Sequence, residues 1–174
     1  MDDFLQATLW NQKGVVLKSR GMYEEALKCF DVSLSIKQLP ETWYNKGNTL
    51  KLLGRFQEAI ACYDQSLELD PNLMEAWNNK GNIYLDSQRY QEALQCYDKA
   101  LEIDPNYAKA LNNKAKVLLC MGRVQEALTY FDRALAVDPN YSDAWFHKGL
   151  ALELMGRLED ARFCYRKAGR SRAF

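Results

Sequence analysis

Residues 74–107 read MEAWNNKGNIYLDSQRYQEALQCYDKALEIDPNY, and this stretch decides the fold. In its first half Trp77, Gly81 and Tyr84 recur at four- and three-residue spacing, which places them on one face of a helix. In its second half Tyr90, Ala93, Leu94, Tyr97, Ala100 and Leu101 form a second apolar stripe of helical period. Ser87-Gln88-Arg89 interrupts the pattern between them. Asp104-Pro105 closes the unit, because proline disfavours helix in the residue before it. The stretch is therefore expected to be a helical hairpin. Gly81 set against Ala93 is expected to let its two antiparallel helices approach, with Trp77 and Tyr97 filling the space beside them.

The same unit recurs along the chain. Tryptophan stands at Trp10, Trp43, Trp77 and Trp145, with Leu111 in the remaining slot, at steps of 33, 34, 34 and 34 residues. Four residues later come Gly14, Gly47, Gly81, Ala115 and Gly149, and further on Ala26, Ala59, Ala93, Ala127 and Ala161. A ring follows each alanine (Phe30, Tyr63, Tyr97, Phe131, Tyr165), and then a small residue (Ser33, Ser66, Ala100, Ala134, Ala168). Outside the central unit the hairpin turn carries glycine (Gly21, Gly54, Gly122, Gly156), which takes the left-handed conformation after a helix end cheaply. Glu25, Glu58, Glu92 and Glu126 sit early in the second helices, where the helix dipole favours negative charge. One hairpin of this size cannot bury its own apolar face, so neighbours must stack. The expectation is an all-α solenoid of ten helices in five antiparallel pairs. It forms a single array over 1–174, with repeats at 7–39, 40–73, 74–107, 108–141 and 142–174.

Composition narrows the function classes. The chain has 174 residues, of which 48% are hydrophobic and 26% charged, enough to build a packed core. Twenty-three basic residues balance twenty-three acidic ones. That argues against a nucleic-acid or membrane-surface binder, which needs a basic excess. No apolar run reaches the roughly 18 residues that span a bilayer, and the opening MDDFLQATLW lacks a signal pattern. Five cysteines suit a reducing compartment, so a cytoplasmic location is expected.

These residues resemble the tetratricopeptide repeat family. Its pattern of W-x2-L-G-x2-Y, then A-x3-F, then P, is matched by Trp77, Lys80, Gly81 and Tyr84, with Ala93, Tyr97 and Pro105 following. The resemblance covers nearly the whole chain and implies a right-handed superhelical solenoid that binds another protein or peptide. One departure is systematic: lysine replaces the expected leucine in every unit (Lys13, Lys46, Lys80, Lys114, Lys148). Its aliphatic stem is expected to lie over the hairpin while the ammonium reaches water.

In this family the first helices line a concave groove. The residues one, two and five after the tryptophan slot are expected to face it. They include Tyr44, Asn45, Asn48, Asn78, Asn79, Asn82, Asn112, Asn113, Lys116, Phe146 and His147, joined by Lys51 and Lys109. A side-chain amide both donates and accepts, so a ladder of amides suits the repeating backbone of an extended peptide. Asparagine is a poor helix-interior residue, and its recurrence is not a matter of propensity. The same asparagines also belong to the family's general pattern and can be occupied only by water. Chaperone-binding members grip a terminal carboxylate with two lysines, two asparagines and an arginine. Here Asn48, Asn79 and Lys109 match, while Tyr44 and Asn113 stand where two of the cations belong, so that specificity is not expected.

Chemistry is sparse. Cys29, Cys62, Cys96 and Cys164 share one slot per repeat, a spacing too long for disulfides, and read as buried packing residues; Cys120 is the thiol expected to react. No zinc-type spacing exists, and His147 is the only histidine. No nucleophile elbow or phosphate loop occurs, so no enzymatic activity, metal or cofactor is expected. The chain finishes on a short polar tail, residues 168–174, which leaves Leu158, Ala161, Tyr165 and Ala168 with an open side. Self-association through this last hairpin is the alternative to peptide binding.

Overall fold

The computed structural model describes residues 2–170; the last four residues of the polar tail, 171–174, lie outside the described part. The described chain is built of ten helices and no strand: α1 (Asp3–Ser19), α2 (Tyr23–Ile36), α3 (Pro40–Leu52), α4 (Phe56–Leu69), α5 (Met74–Asp86), α6 (Tyr90–Ile103), α7 (Ala108–Cys120), α8 (Val124–Val137), α9 (Ser142–Leu154) and α10 (Leu158–Lys167). They form two compact units, one running to Ile83 and one starting at Tyr84, so the boundary falls inside α5. In the first unit α1 packs on α2, α3 on α4, and α2 lies against α3. In the second, α7 packs on α8 and α9 on α10, while α6 lies against α7 and α8 against α9.

The invariant alanines are completely buried, as are the rings of Phe30, Tyr63, Tyr97 and Phe131. The repeated glycines make room for those rings. A Cβ added at Gly14 would stand 2.5 Å from the Phe30 ring, at Gly47 2.8 Å from Tyr63, and at Gly149 2.6 Å from Tyr165. The glycine–alanine approach expected from the sequence is thus, at these three positions, chiefly a glycine–ring approach. In the fourth repeat Ala115 takes the slot and lies in one core cluster with Phe131.

The hairpin turns follow one scheme. Gly54 has φ +74°; its N–H donates to the Lys51 carbonyl at 3.0 Å, and the Arg55 N–H reaches back to Leu50 O at 2.9 Å. This double bond satisfies carbonyls that the helix end leaves open. In the central repeat Gln88 holds the same left-handed position, φ 59°, and the Arg89 N–H bonds to Tyr84 O at 2.8 Å. The Asp-Pro-Asn turns also repeat. Asp70, Asp104 and Asp138 each accept a bond from the backbone N–H two residues on, at 2.9–3.0 Å. Trp77 Nε1 donates to Pro71 O at 3.0 Å and Trp145 Nε1 to Pro139 O at 2.8 Å, which ties each turn to the tryptophan after it.

Four of the five lysines of the series end on a carboxylate. Lys46 Nζ lies 2.7 Å from Asp31, Lys80 2.5 Å from Asp64 and Lys148 2.6 Å from Asp132, and Lys114 pairs with Asp98. Each aspartate belongs to the second helix of the preceding repeat. Each stem does cover apolar surface: the ammonium groups of Lys46, Lys80 and Lys148 sit 5.2–5.5 Å from the ring of their own repeat's tryptophan. In the second to fifth repeats the leucine of the family pattern is replaced by an ion pair that joins consecutive hairpins.

Cys29, Cys62, Cys96 and Cys164 are buried free thiols and Cys120 is exposed. Burial pushes the Cys62 thiol up to about 11 and raises Cys164 as well, so both stay protonated and unreactive at neutral pH.

Candidate functional site

Two polar clusters lie on the first helices, one in each compact unit. In the first unit the expected amide ladder exists, and it is bonded to itself. Asn45 Nδ2 donates to Asn11 Oδ1 at 3.1 Å, joining α3 to α1. Asn79 Nδ2 donates to Asn48 Oδ1 at 2.9 Å and to Tyr44 Oη at 3.2 Å, joining α5 to α3. Asn78 Nδ2 reaches Asn79 Oδ1 at 3.4 Å. Asn48 Oδ1 also accepts from the Tyr63 hydroxyl at 2.7 Å. Burial holds that phenol far above its ordinary range, so it stays a donor and requires this acceptor. Lys51 and Asn82 lie on the same helices, half-buried.

Three of the asparagines expected to face a groove are instead buried. Asn112 has no exposed surface, Asn78 has 4% and Asn113 has 9%. For Asn112 and Asn113 the reason is geometric: α7 touches α9, so part of this face meets the next repeat. Asn45, Asn48, Asn79, Tyr44, Lys116, Phe146 and His147 remain half-exposed, and Lys109 is exposed.

In the second unit the cluster is organised by Asp143 of α9. Asn112 Nδ2 donates to its Oδ2 at 3.2 Å and lies 3.5 Å from the Tyr141 hydroxyl. Lys116 Nζ stands 4.0 Å from the same carboxylate. His147 Nδ1 lies 2.8 Å from the Asp143 carbonyl and 3.6 Å from its Oδ1. A carbonyl only accepts, so Nδ1 carries the proton, and in the neutral ring Nε2 is left as an acceptor. Burial lowers the His147 pKa, outweighing Asp143, so the ring is neutral at pH 7. The imidazole is stacked on Phe131 at 6.3 Å and meets Phe146 edge-on at 5.4 Å, with the Arg170 guanidinium 4.5 Å from the Phe146 ring. Asn112 Oδ1, fully buried, has no hydrogen-bond partner.

The cluster offers a carboxylate, an ammonium, an amide and an imidazole acceptor beside aromatic surface. These groups recognise polar backbone and side chains; none is a nucleophile activated by a base. The sequence reading did not assign Asp143 its central part, although the Asp143–His147 spacing of four was the signal that could have found it. Tyr63 was read only as a core ring, and Tyr141 was not singled out at all. Among the described residues no group of three His, Cys, Asp or Glu side chains could hold a metal ion, and no helix is long and apolar enough to cross a membrane.

Comparison with known proteins agrees with this architecture. Sequence models of the tetratricopeptide repeat match residues 7–38, 40–73, 72–140 and 112–172. No curated protein sequence matches the chain. Among solved structures, MamA 41-end from Desulfovibrio magneticus RS-1 is similar at TM-score 0.82 and 24% identity, over 97% of this chain and 94% of that one. PilF of Pseudomonas aeruginosa is similar at TM-score 0.89 and 20% identity, over 100% of this chain and 80% of that one. YrrB, a tetratricopeptide repeat protein with an unusual peptide-binding site, is similar at TM-score 0.72 and 22% identity, over 91% and 82%. At these identities the structures speak for the fold, and the repeat matches, which together run from residue 7 to residue 172, speak for the family. The chain belongs to the tetratricopeptide repeat family and is, as such, a protein–protein interaction scaffold.

Proposed function

We propose that the chain is a non-enzymatic adaptor that binds an extended peptide or protein segment on the polar faces of its first helices. The observation that carries this reading is that each unit, taken by itself, presents polar groups on its first helices: the half-exposed amides Asn45, Asn48 and Asn79 in the first, and the Asp143–Lys116–His147 cluster in the second. Amides in the first match the donors and acceptors of a peptide backbone, and the mixed charge of the second favours a segment of mixed charge. The peptide-binding site attributed to YrrB supports the class of ligand, not its sequence.

The test is selection of a displayed random-peptide library on the full chain. Selected peptides are expected to bind the native chain and to lose at least about tenfold in affinity on Asn79→Ala or Lys116→Glu, a factor typical of one lost polar contact. Absence of any selected binder, or binders indifferent to both variants, would remove the proposal. A second reading is self-association through the last hairpin, favoured by the exposed Leu154, Met155, Leu158 and Phe163. Light scattering that reports a monomer across micromolar concentrations would dismiss it.

A further inference from the structure

Two residues after the tryptophan slot, four repeats carry a side-chain amide and the fifth an imidazole: Gln12, Asn45, Asn79, Asn113 and His147. An amide presents a donor and an acceptor together, and a half-turn exchanges them. An imidazole with one nitrogen committed cannot do that. His147 Nδ1 donates to the Asp143 carbonyl at 2.8 Å, which fixes the tautomer. The ring plane is held as well, stacked on Phe131 at an interplanar angle of 16° and met edge-on by Phe146 at 84°. Nε2 therefore has one orientation and one role, that of an acceptor. None of the described residues donates to it. Nor is it sealed in: among the described residues the one buried side-chain N or O atom without a hydrogen-bond partner is Asn112 Oδ1, and 21% of the His147 side chain is exposed.

The surroundings set what this acceptor can take. The charged groups facing the ring are Lys116 of α7, Arg170 beyond α10 and Asp143 of α9 itself, while α8 offers the uncharged Phe131 ring. Asp143 is already engaged, by Asn112 Nδ2 at 3.2 Å and by Lys116 at 4.0 Å. A ligand carbonyl or carboxylate brought to Nε2 would set two acceptors face to face, whereas a ligand N–H would complete the nitrogen. Protonation reverses both outcomes. The imidazolium donates from both nitrogens and adds a third positive charge beside Lys116 and Arg170.

We infer, resting on the peptide-binding reading above, that His147 Nε2 accepts a hydrogen bond from a backbone or side-chain N–H of the bound segment. The second unit then holds its peptide while the imidazole is neutral and releases it on acidification. Burial of the ring already disfavours the charged form, and a bound N–H adds to that preference. In this role His147 selects the polarity of the group bound at the fifth repeat, which the amides of the same slot do not.

His147 is the only histidine of the chain, so its ring resonances stand alone in NMR spectra of isotope-labelled protein. Long-range proton–nitrogen spectra of the free chain are expected to show Nδ1 protonated and Nε2 bare; the opposite tautomer overturns the inference without any ligand. The binding probes are histidine-free peptides selected on the full chain from the displayed library, carrying a rhodamine label, whose affinity answers to Lys116→Glu. One pH unit below the His147 midpoint, anisotropy should report binding about tenfold weaker than at neutral pH. Saturating peptide should lower that midpoint by about one pH unit, because the two effects are one coupling seen from either side. His147→Gln should remove the pH dependence, and His147→Phe, which keeps a ring but no acceptor, should weaken binding at neutral pH about tenfold. Equal affinity on both sides of the midpoint, a midpoint that peptide raises or leaves in place, or undiminished binding by His147→Phe each overturns the inference and leaves a peptide-binding chain. A library without a peptide that answers to Lys116→Glu removes it together with the peptide-binding reading of the second unit.

Discussion

Lys114 and Tyr130 reproduce, across two helices, the contact that lysine and tryptophan make within one helix elsewhere. The Lys114 ammonium lies 4.5 Å from the Tyr130 ring centroid. The other repeats place the lysine 4.6–5.5 Å from Trp10, Trp43, Trp77 or Trp145. The fourth repeat has Leu111 in the tryptophan slot and Tyr130 where the others have Cys29, Cys62, Cys96 and Cys164. Two departures from the pattern therefore answer each other. The ring lost from the first helix is supplied by the second.

That relationship predicts strong coupling. Tyr130→Cys alone removes the ring over Lys114 and should cost about 1–2 kcal/mol. Leu111→Trp alone brings a second large ring into an occupied space and should cost about 1–3 kcal/mol. The double variant restores the arrangement of the other repeats and should recover most of the loss. Guanidinium denaturation midpoints of the four proteins give the coupling, and additive effects would refute the compensation.

Gln88 supplies a second prediction. It holds φ 59° where the other turns carry glycine at φ 74–77°. A side chain in this region costs roughly 1 kcal/mol that glycine avoids. The four glycines at equivalent turns have open space around a built Cβ, so the difference lies in the backbone rather than in contacts. Gln88→Gly should raise stability by about 0.5–1 kcal/mol and the melting temperature by a few degrees. A neutral or negative shift in calorimetry would show that the Gln88 side chain contributes something that its backbone strain conceals.

The fold was legible because every hairpin repeats its own solution: the steps between tryptophans, the buried alanines and the Asp-Pro stops each constrain the same helices. The lysine series was read only halfway. Its stem was visible in the pattern, but the partner aspartates lie in the preceding hairpin, and helical period within one unit does not reveal that pairing. The candidate site was legible at the level of residue type. Asn48 and Asn79 could be found from their slots, but not that they bond to each other, nor that Asn112 is sealed in. Whether an amide faces solvent or the next repeat depends on how closely consecutive first helices approach. That distance is set by side chains more than thirty residues away.

Asn48 and Tyr63 form a pair that the first repeat renders in apolar form, with Val15 and Phe30 in the same two slots. Asn48→Val leaves the buried Tyr63 hydroxyl without its acceptor at 2.7 Å and should cost about 1–3 kcal/mol. Adding Tyr63→Phe removes the stranded donor and should return most of that loss. Asn79 keeps its bond to Tyr44 in both variants. Thermal denaturation of the two single variants and the double variant decides the matter; a double variant as unstable as Asn48→Val would mean that Asn48 acts through Asn79 rather than Tyr63.

His147 gives the second unit a defined pH response. Burial, aided by Lys116 and Arg170, holds the imidazole below its ordinary value of about 6.5, while the Asp143 carbonyl and carboxylate pull the other way without prevailing. Phe131 and Phe146 cover its ring and offer no charge. The folded chain therefore binds the proton less readily than the unfolded chain. Where the unfolded state binds more protons, stability rises with pH. The native state should accordingly lose stability as pH falls from about 7 through 6.5 and on toward the folded pKa, before most carboxylates titrate. His147→Gln keeps an acceptor and a donor but cannot titrate, so its denaturation midpoint should fall less steeply over that window. An NMR titration of the His147 ring in the folded chain should show a midpoint below 6.5. A midpoint above 6.5 would mean that Asp143 outweighs burial, and the chain would then gain stability on acidification.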